Sequence, residues 1–190
     1  MSTTAWIVLA IVVVAVIVAA IVIMSVLRGR RRRQLRDRFG PEYDRTVDAT
    51  GSERKAAKDL QERAGRRDEV ELHDIEPQRR EVFRGEWSGV QASFVDDPSD
   101  AVSNAARLVH DAMTERGYPD DGRASQIDMV SVDHPDLVQK FRSAHEASVR
   151  GRSGDAETEE LRVAMLRYRA VFDRMLTPEH REAERSESRR

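Results

Sequence analysis

The chain has 190 residues, no cysteine, 35% charged and 5% aromatic side chains, and a formal net charge of −2. Disulfides, zinc–thiolate sites and thiol nucleophiles are therefore excluded, and any core must be modest and mainly aliphatic. The charge is uneven: residues 28–38 hold seven Arg and one Asp after an uncharged start, so everything beyond residue 38 carries a net −8. An acidic body argues against nucleic acid as the partner, because phosphate binding needs a basic face.

The first element is Ala5–Leu27, an uncharged run whose only polar residue is Ser25. Its length as a helix is roughly 34 Å, enough for the roughly 30 Å hydrocarbon core of a bilayer. A cleavable signal peptide would need a basic start, a shorter apolar stretch and a small-residue cleavage site. MSTTA supplies no basic residue, and arginines stand where cleavage would fall. A buried core helix rarely runs so long without polar residues. A single transmembrane helix is the reading that remains. The positive-inside rule then places the N-terminus outside and the rest of the chain in the cytoplasm of a plasma-membrane protein. Trp6 falls near the outer interface, and Ala15 and Ala19 form a small-xxx-small pair.

Arg28, Arg30, Arg31, Arg32, Arg33 and Arg36 form a neck directly after the span. They serve as an orientation signal, and they are candidates for contact with anionic lipid headgroups.

The body reads as a succession of helices. Gly40-Pro41 marks a boundary, with a short helix to about Ala49. Ser52 can cap a charged helix running to about Asp74, with Gly65 its weakest point. Glu76-Pro77 opens a helix whose Phe83, Trp87, Val90 and Phe94 share one stripe, where Trp87 is expected to be a core anchor. Asp97, Pro98 and Asp100 start the next, with Val102, Ala105, Ala106, Val109, Ala112 and Met113 on its apolar face and Gly117 as its C-terminal cap. Residues 118–122 are a loop, and 124–132 read equally as a helical turn or extended chain. Asp133 is expected to cap a helix beginning near Pro135, with Leu137, Val138, Phe141, Ala144 and His145 inward. After a polar connection at 150–155, Leu161, Met165, Tyr168, Phe172 and either Met175 or Leu176 line the last long helix. Thr177-Pro178 is another helix start, and the tail is polar.

No stretch alternates with a period of two, so the expected fold is all-α: an N-terminal transmembrane helix and a cytoplasmic bundle of four or five amphipathic helices. The expected divisions are 1–27 anchor, 28–40 neck, 41–75 charged spacer helices, 76–177 bundle and 178–190 tail. The histidines His73, His110, His134, His145 and His180 fit no metal-protease motif, and there is no nucleophile elbow or phosphate loop. Asp96, Asp97 and Asp100 lack the alternate spacing of a calcium loop. No catalytic, cofactor or metal residues and no small-molecule substrate are indicated.

The segments LRDRFGPEYDRTVD, GVQASFVDDP, RGYP, SVDHPDLV and YRAVFDRML resemble an uncharacterised family of actinobacterial proteins, single-pass membrane or secreted. The resemblance implies one N-terminal span, a helical body and a bacterial plasma membrane; secretion would conflict with the arginine cluster. The expected role is a membrane-anchored interaction module that binds a protein partner or itself, and not an enzyme. The alternatives are an anionic-lipid or envelope-stress sensor using the neck, and an enzyme with a site between helices at Asp97, Asp133 or His134.

Overall fold

The computed structural model describes residues 3–178, with side chains except those of residues 3–15, 21, 28, 31, 123 and 124. Every regular element among them is an α-helix: α1 (Thr3–Phe39), α2 (Pro41–Thr50), α3 (Glu53–Asp68), α4 (Pro77–Ser93), α5 (Pro98–Glu115), α6 (Arg123–Asp133), α7 (Pro135–Arg152) and α8 (Thr158–Leu176). The chain divides into two compact units between Leu60 and Gln61, within α3.

In the first unit the apolar run and the arginine neck are one helix. Nothing between Leu27 and Phe39 breaks it, because Arg is a good helix former and Gly29 alone costs about 1 kcal/mol. The helix stops at Gly40, whose φ of 49° is open to glycine, and Pro41 begins α2 at its first position. The buried apolar side chains here are Leu35, Phe39, Tyr43, Ala56 and Leu60. Among the described residues no helix is long and apolar enough to cross a membrane. The side chains of residues 5–15, the first part of the apolar run, lie outside that description, as do Trp6 and Ala15. The part within it, Val16–Leu27, accounts for about 18 Å of helix.

The second unit is built around α5. This helix packs against α4, α7 and α8, while α7 also packs on α8 and on α6. Its buried face is rich in alanine (Ala101, Ala105, Ala106, Ala112), which lets three neighbours come close, and Val102, Leu108, Val109 and Met113 fill between them. Trp87 of α4 is fully buried and stacks on Phe172 of α8 at 4.7 Å, so it is a core anchor as its stripe implies. Phe83 meets Phe172 edge-on at 6.2 Å, and Phe141 meets Tyr168 edge-on at 5.7 Å. At Gly151 of α7 an added Cβ would sit 2.8 Å from Leu161 of α8, so glycine sets the approach there.

Two local expectations are revised, and the open alternative at 124–132 resolves to helix. The charged helix runs through Gly65 but ends at Asp68, and residues 69–76 contain no helix. The apolar Val70, Leu72 and Ile75 all reach the core from this irregular segment. Segment 124–132 is helical, as α6. Asp133 does not cap α7: His134 holds the cap position, and the Asp133 carboxylate is turned to other partners.

Candidate functional site

Of the four neck arginines with described side chains, Arg32 and Arg36 are ion-paired and Arg30 and Arg33 are exposed. Leu35 and Phe39 turn a buried seam inward, and Arg32 and Arg36 flank it. Arg32 is ion-paired with Glu53. Arg36 donates to Asp44 at 2.5 Å and lies 5.7 Å over the Tyr43 ring; the bond to Asp44 and its charge hold the guanidinium above its ordinary range. Arg30 and Arg33 are exposed, and no ion pair involves them among the described residues. The side chains of Arg28 and Arg31 lie outside the described set.

The second concentration of polar chemistry is a junction inside the second unit. Arg63 and Arg67, one turn apart on α3, reach Asp128 (2.6 Å) and Asp133 (2.5 Å) on α6. Arg142 adds a longer contact to Asp128 at 3.7 Å. The Tyr118 hydroxyl donates to Asp133 at 3.0 Å; burial, and then the neighbouring carboxylate, push this phenol well above its ordinary range. Arg116 is only 2% exposed, and its Nη1 donates to the carbonyls of Met175 (3.0 Å) and Thr177 (2.8 Å) at the end of α8. His134 is also buried and accepts at Nδ1 from Arg174 at 3.3 Å. Burial, and then the Arg174 charge, lower its pKa to about 4, so the imidazole is neutral at physiological pH.

Each residue of the enzyme alternative has a partner within the fold. Asp133 and His134 are consumed by arginine and tyrosine partners, and Asp97 accepts from the Asp100 N–H at 2.9 Å as the cap of α5. His145 is half-buried beside Phe141, their rings 6.5 Å apart. His73 is exposed, and His180 lies outside the described residues. An open depression of about 680 Å³ between α7 and α8 is lined by Glu146, Asp155, Glu157, Glu159 and Glu160 with Arg150 and Arg167, and contains none of the candidates above. Its charges are partly matched: Arg150 pairs with Glu160, and Arg162 pairs with Glu159 at 2.7 Å. Among the described residues no group of three or more acidic or histidine side chains is placed to hold a metal ion.

The sequence did not single out Arg116, Tyr118 or the histidine network of α5. In that network His110 Nε2 lies 3.0 Å from Asp120, His110 Nδ1 lies 2.7 Å from Gln126 Oε1, and Gln126 Nε2 donates to Thr114 at 3.1 Å. The available signal for the junction was spacing: two arginines four apart on α3, matched by two aspartates five apart on α6.

No family model, no curated protein and no solved structure matches this chain.

Proposed function

We propose that the chain is a single-span membrane protein whose N-terminal helix holds a cytoplasmic helical bundle at a bacterial plasma membrane, and that the bundle works by binding a protein partner or a second copy of itself. The observation that carries the reading is the surface of α1. Each described side chain from Val16 to Leu27 is exposed, and none is charged. Val16, Ile17, Val18, Val22, Ile23, Val26 and Leu27 have about half or more of their surface open. A helix apolar on all sides with no protein cover is unfavourable in water by about 25 cal/mol for each Å² of apolar surface, and lipid removes that cost. The arginines that follow supply direction. An interaction role is supported by the polar contacts of the junction, where Asp133 and His134 are engaged by Arg67, Tyr118 and Arg174 and so serve packing.

The test compares the full chain with a variant lacking residues 1–27, both expressed in bacteria. The full chain should stay in the membrane pellet after an alkaline carbonate wash, and its C-terminus should be protected from protease in intact spheroplasts. The shortened chain should be soluble and helical by circular dichroism. A shortened chain that stays in the membrane pellet, or a full chain released by carbonate, overturns the reading. Crosslinking in intact membranes then identifies the partner, self-association appearing as a band at twice the chain's own mass.

A further inference from the structure

We infer that the neck binds anionic phospholipid headgroups through Arg30 and Arg33, while Arg32 and Arg36 are structural; this rests on the membrane-span reading above. At about 100° per residue, Arg32 and Arg36 lie within roughly 80° of the seam formed by Leu35 and Phe39, whereas Arg30 and Arg33 lie roughly 140–160° from it. The ion pairs follow that division. Arg32 and Arg36 are held by Glu53 and Asp44, and Arg30 and Arg33 are exposed without such partners.

Depth agrees with azimuth. Arg30 and Arg33 stand three and six residues past Leu27, about 4.5 Å and 9 Å farther along the axis. The polar interface on each side of a bilayer is about 5–8 Å thick, and a long arginine side chain can reach back toward it. Two unpaired guanidiniums three residues apart on one helix face can donate to a lipid phosphate from adjacent turns. A guanidinium already paired to carboxylate has less to offer: moving it to phosphate exchanges one anion for another. The acidic body, net −8 beyond residue 38, disfavours a long polyanion such as nucleic acid alongside the neck, whereas a headgroup meets it only at the membrane surface.

The absence of cysteine makes a direct test simple, because Gln34→Cys gives the full chain a single labelling site on an exposed position. The labelled protein is reconstituted into phosphatidylcholine vesicles with or without one quarter phosphatidylglycerol, either lipid carrying a trace of acceptor dye. Energy transfer from residue 34 then reports which headgroup gathers at the neck. Flotation with pure phosphatidylcholine vesicles is the control for the span. We expect phosphatidylglycerol to be enriched at the label, and its exchange constant against phosphatidylcholine there to fall roughly fivefold for each arginine lost in R30Q and R33Q, with R30Q/R33Q near parity. R32Q/R36Q should keep the enrichment, its helix content being checked by circular dichroism. A parent that floats but shows no phosphatidylglycerol preference overturns this inference and leaves the span standing. So does equal loss in R32Q/R36Q. Failure of the parent to float with neutral vesicles overturns the span reading and this inference with it.

Discussion

The sharpest quantitative expectation concerns His134. In the unfolded chain its pKa is the ordinary 6.5; in the folded protein burial, with Arg174 and Arg116 opposing a positive charge and Asp133 and Asp136 favouring one, sets it at about 4. Between those values the unfolded chain holds a proton that the folded chain refuses, so acid favours unfolding. The interaction is intact above pH 6.5. It weakens by about 1.4 kcal/mol per pH unit as pH falls, and levels off below pH 4. The full difference corresponds to about 3 kcal/mol, an upper figure because the ring keeps some access to water. His134→Asn keeps an acceptor for Arg174 and removes the titration. The assay is urea unfolding of the full chain in non-ionic detergent, read by Trp87 fluorescence in a Trp6→Phe background, at several pH values from 7.5 to 4.5. Carboxylates titrate in both proteins, so the difference between the two curves isolates the histidine. Wild type should lose about 2–3 kcal/mol relative to His134→Asn across this range. Parallel curves would refute a buried, neutral His134 receiving a bond from Arg174.

Three further outcomes follow from the same junction. Arg116→Met leaves the carbonyls of Met175 and Thr177 without their buried donor and should cost about 2–4 kcal/mol, with hydrogen exchange rising first in the last turn of α8; unchanged stability would mean those bonds contribute nothing. Gly117→Ala must adopt φ +102° and place a Cβ 2.8 Å from the Glu71 carbonyl oxygen, which should cost about 1–3 kcal/mol in urea unfolding. Alkaline titration at 295 nm should show Tyr118 ionising only as the protein unfolds; stability tied to its neutral form is present below pH 10 and declines above it, and Tyr118→Phe should remove this late signal at a cost of about 1 kcal/mol.

The helical body was legible because its signals are local. Period and punctuation mark α4, α5, α7 and α8: the Phe83–Trp87 stripe, the Asp97-Pro98 start, Gly117 after α5, and the Leu161–Phe172 face all depend on residues within a few turns. What was not legible depends on partners far along the chain. Arg63 and Arg67 look like ordinary charges of a solvated helix until α6, more than sixty positions later, presents Asp128 and Asp133. Asp133 looks like a cap because its immediate neighbours are His and Pro, yet an arginine and a tyrosine compete for it and win. Chain 69–76 looks helical by charge pattern, but Val70, Leu72 and Ile75 bury apolar area without helical periodicity. The six-arginine neck reads as one patch along the sequence; the buried Leu35–Phe39 seam and the positions of Glu53 and Asp44 set Arg32 and Arg36 apart from Arg30 and Arg33.

The unbroken course of α1 fixes a phase. Because the apolar run, the arginines and the Leu35–Phe39 seam belong to one helix, each residue inserted near Gly29 would turn the seam by about 100° relative to everything before it and displace it by about 1.5 Å. Seven residues would restore the original azimuth to within about 20°, at a displacement of about 10 Å. The segment is therefore a shaft with teeth at both ends, and its length in residues is a timing mark as much as a distance.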